Sequence, residues 1–194
     1  MSFTSDYYKD NSDLFFEETV RADVSPLYER FLRYVPEGGK ILDFGCGSGR
    51  DVKAFIDMGY NASGVDGSAE LCKLASEYSE TEIQCMDFKS LTSDSEYDAV
   101  WACASLLHLP FDEIPSVIMK MRKALKDSCV MYMSFKYGEF EGERDGRYFT
   151  DMTKERFAGV LKKISGLTVV EEWYSEDVRR GKDVKWYNVI LRKE

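Results

Sequence analysis

Histidine, proline and long apolar runs are scarce in this sequence of 194 residues. His108 is the single histidine, prolines number four, and no two of the five cysteines form a CxxC pair. We therefore expect neither a metal site, zinc included, nor a disulfide framework. No apolar run approaches the roughly 20 residues that span a bilayer, and the first residues lack the pattern of a signal peptide. These absences favour a cytoplasmic protein that makes no membrane contact.

Positive charge is also in deficit. Lysine and arginine total 26 against 35 acidic residues, which gives a formal net charge of −9 and a pI near 4.8. A net negative field repels nucleic acid and anionic membranes, so no strong nucleic-acid signal is present. Hydrophobic residues make up 44% and aromatic residues 14%, enough for a packed core and for aromatic side chains around a pocket.

The spacing of apolar residues predicts one domain over residues 1–194, with a helical cap or lid at 1–37 and an α/β core at 38–194. Strands are predicted at 40–44, 61–65, 82–86, 97–102, 128–135, 167–173 and 184–191. Helices are predicted at 50–58, 68–78, 111–125 and 153–164. This alternation indicates a doubly wound, mostly parallel sheet with helices on both faces. Ligands of such sheets bind at the carboxyl ends of the strands.

A glycine-rich loop follows the first strand. It contains, in order, Gly45, Cys46, Gly47, Ser48 and Gly49. Arg50 at the next position departs from the GxGxxG pattern of dinucleotide sites and from the Walker A loop. Acidic residues stand at three neighbouring strand ends, with Asp43 before the loop, Asp66 after the second strand and Asp87 after the third. Together they predict one edge of a ligand pocket, although a plain glycine turn and ordinary helix caps remain alternatives.

These motifs resemble those of the class I S-adenosylmethionine-dependent methyltransferases. The resemblance rests on Leu42–Asp43 with the loop 45–49, on Val65–Ser68, on Met86–Phe88 and on Tyr97–Trp101. It is strong over about residues 38–136 and is closest to small methyltransferases of the tellurite-resistance and ubiquinone or tRNA-modifying types. It implies a Rossmann-like, seven-stranded sheet whose last strand is antiparallel. It also implies S-adenosyl-L-methionine as cofactor and S-adenosyl-L-homocysteine as product.

The resemblance further implies a role for each motif residue. Asp43 and the loop 45–49 would hold the methionine part of the cofactor. Asp66, with Gly67 and Ser68, would bind the ribose. Asp87 and the backbone of Phe88 would hold the adenine, while Ala102 and Ser105 would face the sulfonium and its methyl group.

The protein's part in methyl transfer is mainly to position two reactants and exclude water, because the cofactor carries the reactivity. A general base is needed only when the nucleophile arrives protonated. His108 is the candidate for that catalytic role, as a base or as an orienting group. A structural histidine before the turn at Pro110 is an equal alternative. A covalent role for Cys103 is disfavoured, because no basic partner is near it in sequence.

The acceptor is expected to enter beside two segments. Trp101 lies in the segment that should border the reacting methyl group. The insert after the fifth strand contributes Tyr137, Arg144, Arg147 and Tyr148, and its two arginines could clamp a carboxylate or another anion. The alternative for this insert is a solvated loop whose arginines pair with its own glutamates. Near the N-terminus, Tyr7 and Tyr8 could form a lid over the cofactor.

Several functions remain compatible with these motifs. The motifs favour methyl transfer to a small molecule first and methyl transfer to tRNA or protein second. A domain that binds S-adenosylmethionine without catalysis is a third possibility, and a nicotinamide-dependent oxidoreductase is disfavoured by Arg50. The RNA alternative draws on a second basic and aromatic cluster, Trp173, Tyr174, Arg179, Arg180, Lys182, Lys185 and Trp186. A solvated hairpin tip explains that cluster more simply.

Overall fold

The computed structural model describes residues 3–179 and 183–194. The helices are α1 Phe3–Asp10, α2 Ser12–Thr19, α3 Ser25–Phe31, α4 Arg50–Asp57, α5 Ala69–Ser79, α6 Ile114–Ala124 and α7 Lys154–Leu161. The strands are β1 Lys40–Phe44, β2 Asn61–Asp66, β3 Ile83–Cys85, β4 Tyr97–Ala102, β5 Leu125–Lys136, β6 Glu141–Arg144, β7 Arg147–Thr150, β8 Leu167–Glu176 and β9 Lys185–Lys193. Short 3-10 turns occur at Leu32–Tyr34, Phe88–Ser90 and Leu106–His108.

Seven of these strands form one sheet in the order β3-β2-β1-β4-β5-β9-β8. The pairs from β3 to β5 are parallel, whereas β9 pairs antiparallel with both β5 and β8. This confirms the predicted Rossmann-like sheet with an antiparallel last strand. The strand order reverses between β1 and β4, and a sheet of this type binds ligands at the carboxyl ends of the strands beside that point.

The central strands are buried on both faces, which explains why they are continuously apolar rather than alternating. On β4, Val100 and Ala102 face one apolar cluster, while Ala99 and Trp101 face the other. Two flanking helices begin at side-chain caps. Ser68 accepts a hydrogen bond from the Leu71 amide at the start of α5, and Thr153 accepts one from the Arg156 amide at the start of α7.

The insert after β5, to which no strand was assigned from the sequence, forms the β6–β7 hairpin. Asp145 and Gly146 connect the two strands with φ angles of 53° and 74°. Two successive positive φ angles are typical of a two-residue type I′ turn, for which Asp-Gly is a strong sequence signal. The Asp145–Gly146 pair therefore indicated a hairpin, and the sequence analysis missed these two strands.

The N-terminal helices cover part of the sheet's carboxyl edge. Helix α1 contacts α5 and β7, and α2 contacts α5. The division into a cap at 1–37 and a core at 38–194 within one domain stays a prediction. Among the described residues, no helix has both the length and the apolar character needed to cross a membrane.

Candidate functional site

A cavity of about 1210 Å³ opens at the carboxyl ends of the central strands. Its walls include the glycine loop and Asp66 on one side, and the end of β5 with the β6–β7 hairpin on the other. Helices α1 and α2 contribute Tyr8 and Phe15. Because pockets for one small ligand usually measure roughly 300–1,000 Å³, this cavity has room for two bound molecules side by side.

The glycine loop turns tightly against the segment that follows β4. Gly45 and Gly47 have φ angles of 89° and 54°, a region that disfavours residues with a Cβ atom. A Cβ atom on Gly45 would lie 2.5 Å from Cβ of Ser105, so only glycine permits this approach. Cys46, Gly47 and Ser48 also line the cavity, while Gly49 makes the turn into α4, where an added Cβ would lie 2.9 Å from Ala75.

Asp66 is held by two backbone amides. Its Oδ2 accepts a hydrogen bond from the Gly47 amide and its Oδ1 accepts one from the Ser68 amide, each at 2.9 Å. Burial raises the pKa of Asp66, and the backbone hydrogen bonds oppose that shift. Each carboxylate oxygen retains a further acceptor position. Asp66 thus offers two adjacent acceptors to a ligand, with Gly67 and Ser68 beside it on the cavity wall.

The other predicted acids lie at different depths. Asp87 is exposed and lines the cavity together with Phe88. Asp43 is buried beneath the cavity wall, and its Oδ2 has no hydrogen-bond partner among the described residues. Burial holds the pKa of Asp43 well above its usual range, and the nearby Asp51 carboxylate acts in the same direction. The Ser105 hydroxyl on the cavity wall also lacks a partner within the described part of the chain.

Three predicted contacts are wrong. Trp101 is fully buried and stacks on Tyr132 at a ring-centroid distance of 4.0 Å, so it cannot touch an acceptor. Ala102 is fully buried in the apolar core, and Ala104 lines the cavity instead. The side chain of Tyr148 points away from the cavity, donating a hydrogen bond to Glu141.

His108 lines the cavity with both ring nitrogens engaged. Nδ1 lies 2.8 Å from the carbonyl oxygen of Tyr148, and Nε2 lies 2.9 Å from the hydroxyl of Tyr8. Since a carbonyl can only accept, Nδ1 carries the proton and Nε2 accepts from Tyr8. Burial lowers the pKa of His108 to about 4, and the charge of Arg147 acts in the same direction. The imidazole is therefore neutral at pH 7 and orients Tyr8, while its predicted catalytic role stays a prediction.

Aromatic side chains of α1 and α2 close the cavity from above. The ring of Phe15 rests on the glycine loop, where a Cβ atom on Gly47 would lie 3.1 Å from it. Tyr8 packs edge-on against both Phe15 and His108. Tyr7 receives the Arg147 guanidinium over its ring at 4.4 Å. We call Tyr7, Tyr8 and Phe15 the aromatic roof.

The far end of the cavity is rich in positive charge. Lys136, Arg144 and Arg147 lie 4.0, 4.8 and 5.2 Å from the centroid of the Phe149 ring. We call these three cations and this ring the basic chamber. Arg144 forms an ion pair with Asp151 at 3.0 Å, so it does not pair with a glutamate of its own hairpin. Tyr137 and Arg147 line the cavity as well, and their predicted contact with an acceptor stays a prediction.

The second basic and aromatic cluster is divided by the structure. Arg179, Lys185 and Trp186 line the same cavity. Arg179 is paired with Asp177 at 2.7 Å, and Lys185 lies over the rings of Tyr137 and Tyr174. Arg180 and Lys182 lie outside the described residues.

Sequence reasoning missed a buried ionic cluster at the start of α4. Asp51 lines the cavity and accepts hydrogen bonds from Tyr28 at 2.6 Å, from Trp101 at 2.7 Å and from Arg50 at 2.5 Å. Burial would raise the pKa of Asp51, but Arg50 and these hydrogen bonds hold it below its usual value. The only sequence signal was an acid in the first turn of a helix, which is ordinary at that position.

Comparison with known proteins agrees with this geometry. A family profile described as "Methyltransferase domain" matches residues 41–128, the stretch that contains the glycine loop, Asp66 and Asp87. This match covers less than half of the chain and, together with the sheet topology, supports a class I S-adenosylmethionine-dependent methyltransferase. Among curated proteins, this chain is similar to the ubiquinone biosynthesis O-methyltransferase of Coxiella burnetii, at 32% identity over 90 residues. The match spans 41% of this chain and only 38% of that protein.

Several solved structures share the fold of this chain. The 1,6-didemethyltoxoflavin-N1-methyltransferase of Burkholderia thailandensis, with bound S-adenosylhomocysteine, superposes with a TM-score of 0.75 at 19% identity, over 97% of this chain and 84% of that one. The [4+2]-cyclase SpnF superposes equally well, with a TM-score of 0.75 at 16% identity over 100% of this chain and 97% of that one. The likeness therefore shows a shared fold, and the acceptor must be argued from the site.

Proposed function

We propose that this protein transfers a methyl group from S-adenosyl-L-methionine to a small molecule by direct in-line displacement, in the cytoplasm. One observation carries the proposal. A single cavity is lined at one end by the glycine loop and Asp66, and at the other by the basic chamber under the aromatic roof. A concave chamber walled by side chains, next to a nucleoside-type site, suits a small acceptor better than a macromolecule.

The residues present fit the cofactor. Asp66 would accept hydrogen bonds from the two ribose hydroxyls, and Asp87 with Phe88 would hold the adenine. The loop 45–49 would lie against the methionine part, where the buried Asp43 and Ser105 oxygens lack partners among the described residues. When bound, S-adenosylmethionine supplies the electrophilic methyl group on its sulfonium.

The chain's own side chains position the acceptor and exclude water. The aromatic roof covers the cavity above the glycine loop, so a nucleophile inside it is shielded from bulk solvent. Tyr8 is oriented by its hydrogen bond to His108 and directs a polar oxygen into the cavity. Neutral His108 can take up a proton only after Tyr8 moves from Nε2. Direct transfer needs no base when the acceptor arrives deprotonated.

Calorimetry tests the cofactor. S-adenosylhomocysteine should bind to the purified protein, whereas NAD should not. Binding of NAD without S-adenosylhomocysteine would overturn the assignment. The exposed carboxylate of Asp94, at 67% side-chain exposure, provides a control because an Asp94→Asn variant should bind as the unaltered protein does.

Transfer of labelled methyl from S-adenosylmethionine tests the acceptor. Small oxygen, nitrogen and sulfur nucleophiles, bulk tRNA and a protein extract are offered in parallel, and label should appear on a small molecule. Label on tRNA, together with binding that weakens steeply with salt, would favour the nucleic-acid alternative. Cofactor binding without label on any acceptor would favour a regulatory domain.

A further inference from the structure

The basic chamber carries more positive charge than its neighbours neutralise. Its three cations gather around one ring that is only 2% exposed. Asp151 is the one buried carboxylate within salt-bridge distance of any of them in the described part of the chain, and it is paired with Arg144. The protein as a whole has a net charge of −9, so three cations around one ring at one end of the cavity run against its overall composition.

Two of the three cations form no ion pair with a described residue, although the Asp151 carboxylate lies near enough to oppose the lowering of the Lys136 pKa. The Lys136 ammonium forms no ion pair or hydrogen bond with any described residue, although this side chain belongs to a residue that is only partly exposed. Arg147 likewise lacks an ion pair within the described ranges, and its Nε atom is buried without a hydrogen-bond partner there. An unpartnered buried donor costs free energy, and it costs more when the group is charged.

The surroundings hold these two groups in place instead of neutralising them. The Arg147 guanidinium lies over the ring of Tyr7 at 4.4 Å, and Lys136 lies over Phe149 at 4.0 Å. Ring faces attract cations without neutralising them, and the hydrogen bond that Arg147 makes nearby is to the uncharged Tyr8 hydroxyl. Burial, with the charges of Arg144 and Arg147, lowers the pKa of Lys136 to about 8. Each observation describes a site that a bound anion would stabilise.

We propose that Lys136 and Arg147 bind an anionic group of the methyl acceptor, a carboxylate or a phosphate, inside the basic chamber. That the bound anion belongs to a methyl acceptor rests on the proposed function, whereas binding of an anion at this site does not depend on catalysis. It replaces the arginine pair expected from the sequence, because Arg144 is already neutralised by Asp151. Arg147 provides the planar donor set that suits either oxyanion, and Lys136 provides a compact charge.

Calorimetry on protein saturated with S-adenosylhomocysteine tests the site directly. The probes are benzoate, phenyl phosphate and benzamide, which share a ring and differ in charge. Benzoate or phenyl phosphate should bind, and the tighter of the two shows whether the site prefers a carboxylate or a phosphate. Benzamide, which is uncharged, should bind at least tenfold more weakly. Arg147→Gln and Lys136→Gln should each weaken anion binding tenfold or more, whereas Lys136→Arg should retain most of it.

Matched controls remove a positive charge elsewhere. Arg21 and Lys73 are exposed and do not line the cavity, so Arg21→Gln and Lys73→Gln should leave anion binding unchanged. Binding of S-adenosylhomocysteine confirms that each variant is folded. The proposal is overturned if neither anion binds, if benzamide binds equally well, or if the controls weaken binding as much as the chamber variants do.

The same measurements separate this proposal from the proposed function. If anions bind in a manner dependent on Arg147 and no acceptor is methylated, the anion site stands and the methyl-transfer proposal fails. If methyl transfer occurs and neither chamber substitution changes it, the proposed function is supported and the proposed anion site is overturned.

Discussion

The single histidine makes one protonation state directly measurable at the scale of a residue. Because burial lowers the pKa of His108 to about 4, we predict that its NMR Cε1–H signal does not titrate between pH 5.5 and 8. No other histidine contributes to the spectrum. A titration midpoint near the ordinary value of about 6.5 would contradict the hydrogen-bond assignment to Tyr8 and Tyr148.

The same shift predicts a loss of stability in acid. The unfolded chain binds a proton at histidine below about pH 6.5, whereas folded His108 does so only near pH 4. The contribution of neutral His108 to the free energy of unfolding is therefore complete above pH 6.5. It falls by about 3 kcal/mol as the pH drops toward 4. Urea unfolding at pH 7 and pH 4.5 measures it. In His108→Gln, the difference between the free energies of unfolding at the two pH values should be smaller by about that amount. An equal pH dependence in the variant and the unaltered protein would contradict this prediction.

Asp66 carries the sharpest prediction for cofactor binding. Asp66→Asn keeps the volume of the side chain but removes its negative charge. It also replaces one acceptor oxygen with an NH2 group, which would face the N–H of Gly47 or Ser68 and cannot accept from it. Loss of a hydrogen bond to a charged group costs about 1.5–3 kcal/mol, so affinity for S-adenosylhomocysteine should fall at least tenfold by calorimetry. An Asp94→Asn variant serves as the matched control. Unchanged affinity in Asp66→Asn would remove Asp66 from the cofactor site.

At the scale of elements, the β6–β7 hairpin and α1 support each other. Gly146 has a φ of 74°, and an added Cβ would lie 3.2 Å from the Tyr7 ring. We predict that Gly146→Ala loosens α1 from β7, beyond the roughly 1–2 kcal/mol of backbone strain. Hydrogen exchange at the Tyr148 amide, which donates to the Thr4 hydroxyl, should accelerate.

Gly59 supplies the control for that experiment. Its φ is 88°, and no atom lies within 4 Å of an added Cβ. Gly59→Ala should therefore carry similar strain without touching Tyr7. If both variants accelerate exchange at Tyr148 equally, the contact between α1 and the hairpin has no role of its own.

The sequence predicted most elements because apolar periodicity and glycine stops are local signals. Strand β4 matches its predicted bounds, and Ser68 caps α5 as expected. Periodicity could not tell which face of β4 meets the cavity, because both faces are covered by helices. Trp101 was misassigned for that reason. Its Nε1–H donates to Asp51, a residue 50 positions away, and no local pattern encodes such a pair.

At the scale of the whole molecule, Asp51 ties three elements together. It joins Tyr28 of α3 and Trp101 of β4 to its own helix α4. We predict that Asp51→Asn costs about 3–5 kcal/mol, since it leaves the Arg50 charge buried without its partner. The urea midpoint should fall while the slope stays constant.

Asp57 lies in the same helix and tests whether position alone explains that effect. Its side chain is 59% exposed and pairs with Lys53, an arrangement worth about 0.5 kcal/mol or less. Asp57→Asn should therefore change the midpoint little. A loss below about 1 kcal/mol for Asp51→Asn would show that the buried cluster is dispensable.

Charge is distributed unevenly over the molecule, and composition alone hid this. A net charge of −9 argues against a strong nucleic-acid signal, which stays a prediction, and it said nothing about a chamber with three cations. The cations come from β5 and the hairpin, and only the chain's topology brings them to one ring.

The ring of Phe15, resting on the glycine loop, has a calorimetric consequence. A ligand that binds at Gly47 must contact this ring, so binding buries apolar surface of Phe15 as well as surface of the ligand. Burial of apolar surface lowers heat capacity. The heat-capacity change of S-adenosylhomocysteine binding should thus be more negative than the ligand's surface alone accounts for, and Phe15→Ala should make it less negative.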